Sequence, residues 1–338
     1  MLGAYRTLLA LLVVTQHLAG AHVLGAYAVF GFYCISGYLM TTVMSQSYGY
    51  SVKGVGRYLL NRFLRIYPLY WLSAFVSIIL ILTFSASATR AFHPDIYLPQ
   101  DTLDTLRNTF IFFPQLESPR LTPPAWALTV ELFFYLLIGV GLSRNKAITA
   151  TWFVSSVAYH LFAAINSYGW DEIYFTVWAA SLPFSTGAMI YHFRDFLVRA
   201  VAIFPKALYV PILLFIALPT NWWFASLGGY VRDIGFYINY LICALTISYL
   251  VSGSLPIAWF KHIDKKIGDL SYPIYLFHYQ IGFLAMNGIA YLGFTISRGD
   301  VTLVLVSIPL IIFVAWLVVR WIEQPIMRVR ERIKKGES

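Results

Sequence analysis

Charge is scarce in this sequence. Only 12% of its 338 residues are Asp, Glu, Lys or Arg, against about a quarter in an ordinary soluble domain. The hydrophobic share is 59% and the mean hydropathy is +0.69, which excludes a soluble globular domain with a charged surface. Cysteine is almost missing too. Cys34 and Cys243 both fall inside apolar runs, so a disulfide framework and a Cys-based metal centre are excluded and the two read as packing residues. The seven histidines show no ligand spacing of the H-E-x-x-H kind, and no metal is expected. No internal repeat and no low-complexity segment interrupts the chain, which therefore reads as one domain over residues 1–338.

What remains is a series of long apolar runs, near residues 7–23, 26–45, 66–84, 126–142, 147–165, 174–191, 207–222, 234–251, 269–291 and 301–320. A bilayer core takes roughly 20 apolar residues per helix. The runs therefore predict an all-α, polytopic transmembrane bundle of about ten spans, an integral membrane protein with the bilayer as its main partner. A formal net charge of +9 would suggest nucleic acid in a soluble protein; here it is read by membrane side, and no nucleic-acid partner is expected. With the amino terminus inside, the inner segments hold 18 of the 24 Lys and Arg residues, and the outer ones only Arg90, Arg107, Arg120, Arg232 and Arg298. That asymmetry predicts both termini, including a tail over 321–338, on the cytoplasmic side. The first run ends at Ala19-Gly20-Ala21, similar to a signal-peptidase site, but is read as a span. The longest outer segment, about 85–125, is rich in proline and carries an apolar patch at Phe110 to Phe113. It is expected to lie along the membrane surface as a lid or acceptor platform.

Ionisable groups inside spans are costly and point to function. Arg6 opens the first run and His17 follows eleven residues later, about three helical turns and 16 Å deeper on nearly the same stripe. A histidine there can serve as a base near neutral pH; otherwise it merely bridges helices. Glu131 stands about six residues inside the fourth run and requires a partner or a proton. His278, in Ser271-Tyr272-Pro273-Ile274-Tyr275-Leu276-Phe277-His278, lies mid-span beside a proline that frees backbone carbonyls. Small residues around Ser36 permit close helix approach and suit channel shaping better than nucleophilic chemistry. Arg62 and Arg65, three apart on one helical face, can fork onto phosphates or anchor against anionic lipid. His160 lacks a polar setting and reads as structural.

Taken together, these segments resemble the acyltransferase-3 family of membrane O-acyltransferases, which acetylate extracytoplasmic glycans such as O-antigen and exopolysaccharide. The resemblance rests on Arg6, ten residues, then His17; on Tyr33-x-x-Ser36-Gly37; on Arg62 and Arg65 before Ile66 and Pro68; on Trp126 to Glu131; on Ser271 to His278; and on the closing Glu323-Gln324-Pro325. It implies acetyl-CoA as a cytoplasmic donor, with its phosphates held by Arg62, Arg65 and Arg57. The implied acceptor is a hydroxyl of a surface glycan or lipid-linked oligosaccharide, in a bacterial cytoplasmic membrane.

In that reading His17 is the base or the transient acyl carrier, Glu131 orients it, and Arg6 serves the donor side. Tyr33, Ser36, Trp126, Tyr275 and His278 line the substrate channel. Some family members add an SGNH hydrolase-like domain, for which an 18-residue tail is too short, so the membrane domain would transfer the group alone or hand over to a polysaccharide assembly protein. A transporter or flippase for a glycan or anionic solute is the alternative, and a scaffold subunit of an assembly complex is a third.

Overall fold

The structure is a computed structural model that describes residues 1–113, 119–201, 209–252 and 260–336; Pro114, Lys206 and the first residues of the run expected at 207 lie outside the described residues. Among those described there is no strand. In chain order the helices are α1 Leu2–Ala19, α2 Leu24–Val43, α3 Val52–Phe84, α4 Ala86–Phe92, α5 Thr102–Phe110, α6 Ala125–Gly139, α7 Lys146–Ile165 and α8 Trp170–Tyr174. They continue as α9 Val177–His192, α10 Arg194–Val201, α11 Tyr209–Leu227, α12 Ile234–Val251, α13 Phe260–Tyr291, α14 Val301–Val318 and α15 Gln324–Lys335.

Eight helical stretches among the described residues are long and apolar enough to cross a bilayer. The other two expected spans fall on α6 and α13. Helix α6 is apolar but has only 15 residues, about 22 Å of rise against a hydrocarbon core of roughly 30 Å. Helix α13 is long, at 32 residues, but it opens on Lys261, Asp264, Lys265, Lys266 and Asp269. Two segments expected as loop or tail are helical. The basic stretch before residue 66 forms the start of α3, and the tail continues as α15 until Gly336 ends it at φ 79°. Pro325 does not stop the helix; it follows directly on a π-helical turn over Val319–Glu323, where the regular i to i−4 ladder is already interrupted. The 85–125 segment contains α4 and α5 rather than open loop.

The chain divides into two compact units, residues 1–9, 23–59 and 133–268 in one, and 10–22, 60–132 and 269–338 in the other. In the first, α2 lies along α9 through two glycines. A methyl group at Gly37 would come within 2.1 Å of the Phe184 carbonyl oxygen, and one at Gly187 within 2.0 Å of the Cys34 carbonyl oxygen. The small residues noted around Ser36 thus bring backbones into contact, as membrane helices do when no hydrophobic force separates lipid from protein. Tyr33 is buried in the same seam and stacks on Phe184. Helix α1 begins against α13, where the Asp264 carboxylate accepts from the amides of Gly3 and Ala4 at 3.1 and 2.8 Å, an N-terminal cap supplied by another helix. His160, expected to lack a polar setting, has two polar partners. One ring nitrogen meets the Tyr237 hydroxyl at 3.0 Å and the other the Ala179 carbonyl at 3.1 Å.

In the second unit, α3 and α13 are tied by polar side chains. Gln280 bonds the hydroxyls of Ser73 and Ser77, each at 2.9 Å, Ser73 meets Thr122 at 3.0 Å, and the Tyr272 hydroxyl donates to the Ile66 carbonyl at 2.8 Å. The outward residues Trp71, Phe75, Ile79 and Leu82 form an exposed apolar stripe along α3, at the spacing of one helical face. Such a stripe suits hydrocarbon rather than water.

The glycine seam predicts a contrast. Gly187→Val should destabilise the protein by about 2 kcal/mol or more through overpacking, whereas Gly56→Ala, whose added methyl meets nothing within 4 Å, should be neutral or stabilising by about 0.5–1 kcal/mol. Thermal unfolding of both variants in one detergent measures this. Equal melting temperatures would refute the seam.

Candidate active site

Helix α1 stops two residues after His17, where Gly20 turns the chain at φ +70°. The last carbonyls of a helix have no partner within it. Here Arg298 Nε donates to the His17 carbonyl at 2.8 Å, and the Gly299 amide to the Leu18 carbonyl at 2.8 Å. Arg298 Nη1 also donates to the Phe92 carbonyl, at 3.0 Å, at the end of α4. The connection before α14 therefore fastens the end of α1, with His17, to the end of α4.

The His17 ring meets a second imidazole. His17 Nδ1 lies 2.8 Å from His278 Nε2, with ring planes 10° apart. His278 Nδ1 is 2.8 Å from the carbonyl of Tyr275, one turn back on α13. These two contacts decide the tautomers of neutral rings. A carbonyl can only accept, so His278 carries its proton on Nδ1 and its lone pair on Nε2. His17 must then donate from Nδ1, which leaves the lone pair on His17 Nε2. The relay runs from the Tyr275 carbonyl through His278 to His17, and its last atom is a base.

Tyr279 packs against the relay, its ring centroid 4.9 Å from that of His17, 4.5 Å from that of His278 and 4.8 Å from that of His93. Arg298 lies over the same ring, 5.5 Å from its centroid. His93 accepts at Nδ1 from the Asp95 amide, 3.2 Å away, and Asp95 is ion-paired with Arg120. Burial, and then the nearby Arg298 and Arg120 guanidinium groups, pull the His93 pKa down to about 3, so this ring is neutral near neutral pH.

Of the residues singled out in the sequence, His17 and His278 are in direct contact. Tyr275 has a fastening task, its hydroxyl donating to the Pro124 carbonyl at 2.8 Å just before α6. Trp126 and Glu131 follow on α6, each partly accessible, in the same unit as the histidines. Arg6, Tyr33, Ser36 and Arg57 belong to the other unit. Arg65 is ion-paired with Glu323 and lies 5.3 Å from the Tyr272 ring centroid. Arg62 donates to Asn61 Oδ1 at 2.8 Å, and Arg330 Nε donates to the same oxygen at 3.2 Å. The Glu-x-Pro ending thus supplies the counter-ion of the basic cluster, and α15 supplies another guanidinium to it.

The sequence profile of the acyltransferase-3 family, an acyltransferase domain, matches residues 2–320. The chain belongs to that family. No curated protein and no solved structure gives a significant match. The protein is a membrane acyltransferase, and neutral imidazole is chemically able to take a hydroxyl proton or accept an acyl group. Among the described residues, no group of three or more His, Cys, Asp or Glu side chains could hold a metal ion.

His93 gives this acyltransferase a predicted acid sensitivity. A free histidine titrates near 6.5, so between pH 6.5 and about 3 the unfolded chain binds a proton at this residue that the folded state refuses. Stability contributed by neutral His93 is therefore present above pH 6.5 and lost as pH falls, by at most about 1.4 kcal/mol per pH unit for one proton. Unfolding measured from pH 7.5 to 5 should show a shallower pH dependence in His93→Gln than in the native sequence.

Proposed function

We propose that this acyltransferase moves an acetyl group from acetyl-CoA, taken from the cytoplasmic side, to a hydroxyl of an extracytoplasmic or lipid-linked polysaccharide sugar. The observation that carries the reading is the lone pair left on His17 Nε2 by the relay. In the proposed step His17 Nε2 removes the proton of the acceptor hydroxyl as its oxygen bonds to the thioester carbonyl carbon. The carbon–sulfur bond then breaks and His17 returns the proton to the departing sulfur. The transient imidazolium keeps its Nδ1–H bond to His278 Nε2, which stabilises the charge and holds the ring in position. A two-step variant, with the acyl group carried briefly on Nε2, uses the same lone pair.

Glu131 is proposed to orient the acceptor or offset the charge on His17, and Arg6 to serve the donor side. Trp126 and Tyr275, in the same unit as the histidines, would line the path. For the phosphates of the donor, Arg62 is the proposed guanidinium group, joined by Arg330, which shares Asn61 with it. Forked, permanently charged donors suit phosphate oxygens. Arg65 adds positive potential and, through Glu323, holds α3 to the carboxyl-terminal helix. The charge asymmetry of the sequence supports cytoplasmic termini, an orientation in which this cluster would face the donor.

The test is thiol release from acetyl-CoA by the purified protein, together with the mass of the surface glycan. His17→Ala should lose about 10² to 10⁴ in rate while remaining folded. His278→Leu, which removes the acceptor for His17 Nδ1–H, should lose up to about 10² through misorientation, and His278→Gln, whose amide oxygen can accept that proton, should recover much of the loss. A folded His17→Ala protein that transfers at the native rate would sink the scheme.

A further inference from the structure

Arg120, just before α6, is 5% exposed. Its Nη2 is ion-paired with the Asp95 carboxylate, and its backbone amide donates to the Asp95 carbonyl at 3.0 Å. Among the described residues, guanidinium Nε and Nη1 meet no acceptor. A buried cation with two unanswered N–H-bearing nitrogens is costly to maintain and calls for an explanation, a bound ion among them.

The surroundings add to the imbalance. The Tyr279 hydroxyl lies within electrostatic reach of Arg298, Arg120 and Asp95, and the His93 ring within reach of Arg298, Arg120 and His278. His17 is within reach of Arg298 and His93. Two guanidinium groups thus face one carboxylate around neutral rings that touch the relay. Arg298 is held in place by the His17 and Phe92 carbonyls, so its charge cannot swing away. Arg120, Asp95 and His93 come from the segment between α4 and α6, and Arg298 from the connection before α14. With cytoplasmic termini, as the charge asymmetry predicts, both face the outer, acceptor side.

We propose that Arg120 and Arg298 form an oxyanion-binding subsite beside His17, and that the acceptor carries an anionic oxygen group, a sugar carboxylate or a phosphate, near the hydroxyl that is acylated. The part that names the acceptor rests on the acetyl-transfer reading; the subsite itself does not. A guanidinium fork with open N–H groups matches either oxyanion, and the positive surroundings favour both over a neutral sugar.

The test is equilibrium binding of D-glucuronate, D-glucose 1-phosphate and D-glucose to the purified full-length protein in detergent, at low and high salt. It uses the native sequence, Arg120→Gln, and Arg107→Gln as an outer-segment control whose arginine pairs with Asp104. At least one anion should bind about tenfold tighter than glucose, and the preference should shrink as salt screens the charges. It should vanish in Arg120→Gln and persist in Arg107→Gln. Preference for glucuronate identifies a sugar carboxylate, and preference for glucose 1-phosphate a phosphate. Equal binding of all three sugars, no binding of either anion, or an unchanged preference in folded Arg120→Gln would overturn the subsite. Should Arg120→Gln not fold, the native protein's preference and its salt dependence still decide. Thiol release from acetyl-CoA is measured alongside. Its absence with an intact anion preference would sink acetyl transfer and spare the subsite; its presence without that preference would sink the subsite alone.

Discussion

A neutral imidazole has two nitrogens and one proton, and the chemistry proposed for this protein turns on where that proton sits. The hydrogen bond between His17 and His278 settles the question because the other nitrogen of His278 is already committed to a backbone carbonyl. An acceptor that cannot change its role stands at one end, and it dictates donor and acceptor at every later link. No ionised side chain is needed to orient the base, which suits a setting where a second buried charge would be costly. A carboxylate behind the histidine would hold the imidazolium more strongly, but it would itself have to be desolvated.

The relay depends in turn on helix ends. A helix that stops inside a protein leaves carbonyls facing nothing, and α1 stops just past its histidine. Arg298 and Gly299 answer those carbonyls from a connection more than 270 residues later in the chain. The beginning of α1 has the opposite need and meets it with the Asp264 carboxylate from α13. Both ends are thus satisfied by groups from outside the helix, and the two compact units each own one of them.

Much of this was readable in the sequence, and the part that was not has a common cause. Apolar runs announced the helices, although the short α6 and the polar opening of α13 blur the count of spans. His17 and His278 stood out because ionisable groups are rare in such runs. Their partnership did not, since a contact between residues 261 apart leaves no trace in local spacing. Tyr279 was hidden by its ordinariness, one aromatic among 24 tyrosines. Arg120 and Arg298 read as two of five outer cations, and only burial and bonding in three dimensions separate them from Arg107. The Arg65 and Glu323 motifs were each visible, but their ion pair required the fold.

The close backbone approaches at Gly37 and Gly187 have a consequence for how the protein can change over time. Most packed interfaces tolerate drift because a larger residue on one side can be balanced by a smaller one opposite. Here both sides already carry the smallest residue there is, and each faces the other helix's backbone, which mutation cannot shrink. No compensating substitution exists for either glycine. The seam between α2 and α9 is therefore fixed for any sequence that keeps this fold.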